Sequence, residues 1–591
     1  MLSWVGKRPL RDVVAFPAQD IERFAVSGPP PVSDIDWSDW PERYGRGGLL
    51  VHGDNKEVLA HLLANGFRGR VDLIYIDPPF DSGADYVRRI ELRGITGRVR
   101  LDAEGYTLGE QLQYTDIWAN DQYLQFMYER LQLLKELLRE GGSIFLHCDY
   151  RRTHHLRCLM DEIFGAAAFV NEIVWSYRRW PSETDAYQAM HDTILYYVLP
   201  GAGGHTFNRS YEKASESYMR RFGGKTQRLD ETTRSRKITS DEATRGMPTR
   251  DVWELSIVAG FKAERTEFPT QKPETLLERI LLGSSNPGDI VLDCFIGSGT
   301  TAAVAQKLGR RWIGCDINKG AIQTTTKRLI DVMSEQATAP AAQLALEPKL
   351  ETLPAQLNFR TNRVNDYDLA IQHVEAVSIA CETLGVVRSH TDAFFEGTVA
   401  KKLVKIIPFD HSASPTDLDA IATELRSRPR EDRDIVAVCL GKELACDPWL
   451  ADHNRRGAPN KIQLVELRTD PKYGGLFAHA SASAQVKVTR KAGRVQIVIE
   501  DFISPTILER LKAQEGVVAP KITDWRQMVD SVMIDPAYGG KVFKMVVVDV
   551  PERKDDFVKG TYEIAVRGGP GLVAVKITDM LGEELMVVSS I

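Results

Sequence analysis

Val71-Asp72-Leu73-Ile74-Tyr75-Ile76-Asp77-Pro78-Pro79-Phe80 is the stretch on which the fold turns. Its first six residues read as a strand, and the strand ends on an acid followed by two prolines. Upstream, Leu49-Leu50-Val51-His52 reads as another strand, ending at Gly53-Asp54, with a helix over 58–63 between the two. Downstream, residues 81–118 are rich in Gly and charge, which predicts a long loop or insertion. Leu124, Met127, Leu131, Leu134 and Leu138 recur at helical spacing, predicting a helix over 121–140 that Gly141-Gly142 stops. Ser143-Ile144-Phe145-Leu146-His147-Cys148 is the next predicted strand. The pattern resumes after a polar, irregular 201–265. A helix is expected near Pro273, then the strand Ile290-Val291-Leu292, a Gly-rich turn, a helix from Thr300 and the strand Trp312-Ile313-Gly314-Cys315. Strands alternating with helices imply an α/β fold with a mainly parallel, doubly wound, Rossmann-like sheet.

Bulk properties narrow the class. The 591 residues suggest about three domains, and 43% hydrophobic with 26% charged residues is ordinary for a globular protein. No apolar run approaches the roughly 18 residues of a membrane helix, and Met1-Leu2-Ser3-Trp4-Val5-Gly6-Lys7 lacks the apolar core of a signal peptide. A cytoplasmic protein is therefore expected. The seven cysteines are dispersed without a CxxC pair, so neither zinc nor a disulfide framework is expected. A net charge of −6 argues against a protein that coats nucleic acid, yet it is compatible with one basic cleft. Composition shifts to Ala, Pro, Gln and Glu around 335–358, which predicts a linker, and the remaining chain is long enough for its own core. That region offers no convincing nuclease or helicase signature.

Two strand ends carry the chemistry. Asp293-Cys294-Phe295-Ile296-Gly297-Ser298-Gly299-Thr300-Thr301 leaves a strand and opens a helix. Glycines there let backbone approach a ligand, and the helix N–H groups suit a negative group. Asp316, ending the next strand, can accept from ribose hydroxyls. At Asp77-Pro78-Pro79-Phe80 two prolines offer carbonyls without N–H groups, Asp77 offers an acceptor, and Phe80 a flat apolar face. An exocyclic amino group needs that combination: hydrogen bonds accepted from both its hydrogens favour the pyramidal, nucleophilic nitrogen. Each motif alone also fits a tight turn.

Together they resemble the DNA amino-methyltransferase family. Its acidic-Pro-Pro-aromatic tetrad is matched by Asp77 to Phe80, its Phe-x-Gly-x-Gly turn by Phe295 to Gly299, its Thr-Gln-Lys-Pro segment by Thr270-Gln271-Lys272-Pro273, and its Gly-Asp pair by Gly53-Asp54. The usual proline after the turn's acid is Cys294 here. The resemblance covers about residues 48–330, and the order of the motifs is similar to the beta group, which is circularly permuted and includes modification subunits of type III restriction systems. It implies S-adenosylmethionine as cofactor, with Gly297, Ser298, Gly299 and Thr300 holding its methionine end and Phe295 among the cofactor-binding residues. Asp293, Asp316, Asp54, Lys272 and Pro273 belong to the same pocket, with Asp54 receiving the cofactor adenine. Asp77, Pro78, Pro79 and Phe80 become the catalytic tetrad, acting on a base flipped out of double-stranded DNA. In the implied sheet the Asp293 strand comes first, the Asp316 strand second, the Asp54 strand third and the Asp77 strand fourth.

The expected domains are an N-terminal extension (1–47), a catalytic domain (48–177 and 266–334), a target-recognition region (178–265), the linker and a C-terminal mixed α/β domain (359–591) for dimerisation or for docking DNA or a partner. Arg220, Arg221, Lys225, Arg234, Arg236 and Lys237 are the expected DNA contacts. The leading expectation is N6-adenine methylation by the modification component of a restriction or phage-defence system, prokaryotic and nucleoid-associated, acting as a homodimer without metal. The alternatives are N4-cytosine methylation, for which Asp at the tetrad's first position is the less usual residue, and a recognition subunit for a helicase-nuclease partner. Tyr114 and Trp118 are further candidates to touch the base, whereas His154-His155 and His191-Asp192 are expected to be ordinary core or surface residues.

Overall fold

Alternating apolar strands and amphipathic helices build the layers that the sequence pattern implies. The computed structural model describes the chain from Leu2 onward, apart from scattered runs of five residues or fewer and the segments 27–33, 90–109, 116–121, 230–235, 339–352, 365–380, 467–481 and 509–521. The sheet that matters is formed by β1 (Ala18–Ala25), β2 (Gly48–His52), β3 (Val71–Ile76), β4 (Leu138–Cys148), β5 (Phe169–Ser176), β6 (His191–Val198), β7 (Val252–Glu254), β8 (Ile290–Asp293), β9 (Arg311–Asp316), β10 (Asn358–Val364) and β11 (Phe543–Met545). Their order is β7-β5-β6-β4-β3-β8-β9-β2-β10-β1-β11. The six central strands from β4 to β10 run parallel, β6 runs antiparallel to both neighbours, and β1 runs antiparallel to β10.

Period-two alternation divides the strands between two cores. Leu49, Val51, Ile74, Ile76, Ile144 and Leu146 face α1 (Asn55–Leu62), α2 (Gln122–Leu137) and α3 (Thr153–Phe164). Leu50, Leu73, Tyr75, Phe145 and Trp312 face α4 (Glu274–Ser284), α5 (Thr300–Lys307) and α6 (Lys319–Thr338). All residues of β2, β3 and β8 are buried, as strands covered by helices on both faces must be.

The sheet reaches beyond the expected catalytic boundaries. β1 comes from the expected N-terminal extension, and β10 follows the expected linker but pairs with β2 along its length. Helix α6 runs to Thr338, and Gln356, also assigned to the linker, is buried with its amide on Gln306 Oε1 at 3.1 Å. The C-terminal region is two modules. Val387–Arg388, Gly397–Val399, Lys402–Ile406, Ile435–Cys439 and Ile462–Glu466 form a mixed five-stranded sheet. After it come a three-stranded sheet (Ser483–Lys491, Arg494–Ile503, Thr561–Ala565) and a four-stranded sheet (Val547–Asp549, Val529–Tyr538, Leu572–Asp579, Glu584–Ser590), which share one core. The apolar run Met545-Val546-Val547-Val548 is split between two sheets: Met545 ends β11 in the large sheet, and Val547 starts a strand in the four-stranded one. Among the described residues no helix is long and apolar enough to cross a membrane.

Candidate active site

The carboxyl ends of β3, β8, β9 and β2 lie side by side, so Asp77, Asp293, Asp316 and Asp54 edge one cavity of about 240 Å³. The first three strands of the implied sheet, those of Asp293, Asp316 and Asp54, follow one another, and the fourth, that of Asp77, lies on the other side of the first. Residues more than 200 positions apart meet because the crossovers place them at the same edge of a parallel sheet.

The Gly-rich turn is fixed from below by acids. Asp293 Oδ1 accepts from Phe295 N at 2.9 Å, and its Oδ2 from the Thr301 hydroxyl at 2.6 Å. Burial, with Asp77 and Asp316 nearby, pushes Asp293 up to about 7 despite these bonds. Asp316 accepts from Gly297 N at 3.0 Å and Asn318 N at 2.8 Å, and burial raises it to about 6. Gly299 has φ 77°, and a Cβ there would lie 2.7 Å from Thr325 Oγ1. Among the described residues no side chain caps α5, so its first N–H groups are open to a ligand.

The Thr270–Pro273 segment divides its work residue by residue. Thr270 holds a left-handed φ of 65°, a strained conformation for a β-branched residue. Gln271 ties the loop together, accepting from Thr266 N at 2.8 Å and donating to the Glu264 carbonyl. Lys272 pairs with Asp77 Oδ2, lies 5.1 Å from the centre of the Phe80 ring, and its carbonyl accepts from the Thr300 hydroxyl at 3.2 Å. Pro273 caps α4 in extended geometry. Behind the turn, Arg328 donates to the Ser298 carbonyl (3.2 Å) and Thr300 Oγ1 (2.9 Å), and is itself held by Glu274 at 2.8 Å.

Asp54 is more engaged than expected. It caps α1 through Lys56 N at 2.8 Å, and both its oxygens receive the Arg130 guanidinium at 3.1 Å. Arg130 is buried against the Phe126 ring at 3.5 Å and also donates to Asn55. Phe126 and Phe295 together give this end of the cavity an aromatic wall.

At the other end stands the tetrad. Among the described residues Asp77 Oδ1 is buried and has no hydrogen-bond partner, while Oδ2 is held by Lys272. Pro78, Pro79 and Phe80 line the cavity beside it. Fully buried behind them is His147, with its ring centre 5.8 Å from that of Phe80. Its Nδ1 lies 2.8 Å from the Tyr75 hydroxyl, and its Nε2 3.3 Å from Asp192 Oδ2. Asp192 also accepts from the Tyr177 hydroxyl at 3.0 Å.

The sequence reading missed His147, Tyr75, Arg130, Arg328 and Glu274, and set Asp192 aside. The available signal was a histidine near the end of an otherwise apolar strand, at the edge where the acids gather. His191, by contrast, is exposed, as expected. Arg220 and Arg221 are exposed on the helix Glu216–Phe222, and Lys225 starts the strand Lys225–Leu229; none lines the cavity. Arg234 and Trp118, and the side chains of Arg236, Lys237 and Tyr114, lie outside the described residues. No cluster able to hold a metal occurs among the described residues.

Known proteins are similar in sequence over the same region. A family model described as DNA methylase matches residues 71–327. The type II methyltransferase M.HpaI of Haemophilus parainfluenzae is 31% identical over 267 residues, covering 45% of this chain and 70% of that protein. The DNA adenine methyltransferase YhdJ of Escherichia coli is 29% identical over 306 residues, 51% of this chain and 90% of that protein. The StyLTI Mod subunit of a type III restriction-modification enzyme of Salmonella typhimurium is 26% identical over 392 residues, 53% of this chain and 60% of that protein. With the motifs gathered around one cavity and this extent of likeness, the chain belongs to the DNA methylase family.

Proposed function

We propose that the chain transfers a methyl group from S-adenosylmethionine to N6 of adenine in double-stranded DNA. The observation that carries this reading is the divided Asp77 carboxylate: one oxygen fixed by Lys272, the other buried at the cavity and unpartnered among the described residues. A buried acceptor left open awaits a donor, and an exocyclic amine is one. Asp77 Oδ1 and the Pro78 carbonyl would take its two hydrogens while Phe80 stacks on the base.

The cavity fits the cofactor. The uncapped α5 terminus suits its carboxylate, Asp316 its ribose, and the Phe126 and Phe295 rings its adenine. When bound, S-adenosylmethionine would supply an electrophilic sulfonium methyl, to which the lone pair of the amine held by Asp77 and Pro78 would bond as the C–S pair left on sulfur. Asp54 then serves chiefly to fix α1 and Arg130 at the pocket's rim.

The relative named as a DNA adenine methyltransferase supports adenine over cytosine. The relative that is a Mod subunit supports a modification role in a restriction system, alongside a helicase-nuclease partner. We assign target recognition to 178–265 and dimerisation or partner docking to the C-terminal modules. Long-read sequencing of DNA from cells expressing the chain or Asp77→Asn tests the central claim. N6-methyladenine in one sequence motif is expected with the wild type, and a loss of at least about 100-fold with the variant. An unmethylated wild-type genome, with the protein folded and binding cofactor, would sink the reading.

A further inference from the structure

The methylated amine must shed a proton, and the region behind Asp77 is built to take one. Asp192 is a buried carboxylate: burial pushes its pKa up, but His147, Lys272 and Tyr177 outweigh that and leave it lowered. An ionised carboxylate only accepts, so the His147 nitrogen facing it, Nε2, carries the hydrogen. In the neutral imidazole the other nitrogen, Nδ1, is then a lone pair. It accepts from the Tyr75 hydroxyl at 2.8 Å and looks toward Asp77 Oδ1 at 3.9 Å. The arrangement is acceptor, imidazole, carboxylate, completely enclosed: His147 has no exposed surface. Trp175, 5.6 Å away and edge-on, closes the remaining side. The groups facing the imidazole are Tyr75 and Asp77 from β3, Asp192 from β6, Tyr177 just beyond β5, and Lys272 from the loop before α4.

We propose that His147 receives the proton released by the methylated amine, by way of Asp77, and that Asp192 holds the imidazolium so formed. The step rests on the methyltransferase reading above. Once nitrogen has bonded to the methyl carbon it is cationic. One N–H bond breaks, its electron pair stays on nitrogen, and the proton passes to Asp77 Oδ1. The Tyr75 hydroxyl turns aside, the new O–H bond breaks in turn, and the proton binds the Nδ1 lone pair. Asp77 is again a carboxylate, and the cation sits between Asp192 and the cavity. After the product leaves, the proton returns through Asp77 to water entering the cavity. Lys272, already on Asp77 Oδ2, keeps the transfer on the Oδ1 side.

The test is single-turnover methyl transfer by the full chain onto unmethylated plasmid DNA, from about pH 5.5 to about pH 9. His147 must be neutral to accept, so the wild-type rate should fall on the acid side as the imidazole protonates. His147→Gln should be about 10- to 100-fold slower, lack that acid limb, and bind S-adenosylmethionine as the wild type does. Tyr75→Phe leaves the imidazole and Asp192 in place and should retain the limb. Asp192→Asn removes the counter-charge, so the limb should move to lower pH; this variant carries the test if His147→Gln does not fold. An unchanged limb in Asp192→Asn, or a pH profile in His147→Gln identical to the wild type, overturns the proposal and leaves His147 a packing residue. A wild type that transfers no methyl group at any pH takes down the methyltransferase reading and this step with it, which neither variant's profile can do.

Discussion

Asp293 and Asp77 end neighbouring strands, yet their environments separate them. Asp77 keeps an oxygen for the cavity, whereas both oxygens of Asp293 are spent on the turn. Burial holds the Asp293 proton up to about pH 7, against about 3.9 for an ordinary aspartate. Between those values the folded chain binds more proton than the unfolded one, so this residue's contribution to stability falls as pH rises, by at most about 1.4 kcal/mol per pH unit. Asp293→Asn keeps an acceptor oxygen and cannot ionise. Its melting temperature relative to the wild type should therefore climb from pH 4 to pH 7; curves that stay parallel would count against a retained proton. Residue-level legibility divides in the same way. The tetrad was readable because an acid and two prolines interrupt an apolar strand. Arg130 and Arg328 were not, because nothing local distinguishes a buried arginine from a solvated one until its carboxylate partner arrives from a distant element.

Elements were legible where one local signal dominated. The glycine turn before α5 is such a case, and its requirement is testable. Gly299→Ala would place a Cβ 2.7 Å from Thr325 Oγ1 and 3.1 Å from Thr325 Cα at φ 77°. The hydroxyl can turn away but the Cα cannot, and the left-handed backbone adds about 1–3 kcal/mol of strain. Affinity for S-adenosylmethionine should drop at least about 10-fold by calorimetry, which corresponds to about 1.4 kcal/mol; unchanged affinity would remove the turn from the cofactor site. Elsewhere tertiary pairing overrode the local signal. Leu138 continues the helical spacing of α2, but it opens β4 and pairs with Val71, so the helix stops at Leu137 rather than at the glycines. At 545–548 an unbroken apolar run serves two sheets, with Val546 left half exposed between them. No periodicity announces a strand that changes sheets.

For the whole molecule, the sheet class, strand order and shared cavity were legible in the sequence, but the extent of the sheet was not. β1 and β11 pair with each other from opposite ends of the chain, and such a contact leaves no local trace. A charge cluster fixes the same junction. Lys576 is buried between Glu22 and Glu584, with Glu584 at 3.4 Å, and Glu584 also reaches Lys319 at 3.6 Å at the start of α6. Burial alone would raise the Glu584 pKa, but Lys576 and Lys319 outweigh it and hold it down to about 2. The stability it contributes is thus present above its ordinary carboxylate range and lost as pH falls toward 2. Lys576→Ala strands the Glu22 carboxylate in the buried junction and takes a cation from the solvent-exposed Glu584, and breaking a buried pair in this way costs about 3–5 kcal/mol. Urea unfolding should show that loss at neutral pH. It should shrink in acid, where the stranded carboxylate takes up a proton, and Lys576→Met with Glu22→Leu and Glu584→Leu should recover most of it. If Lys576→Ala leaves the midpoint in place, the C-terminal sheets are held to the catalytic sheet without this charge cluster, through the β1–β11 pairing and the apolar contacts of Met533, Phe543, Met545 and Ala574.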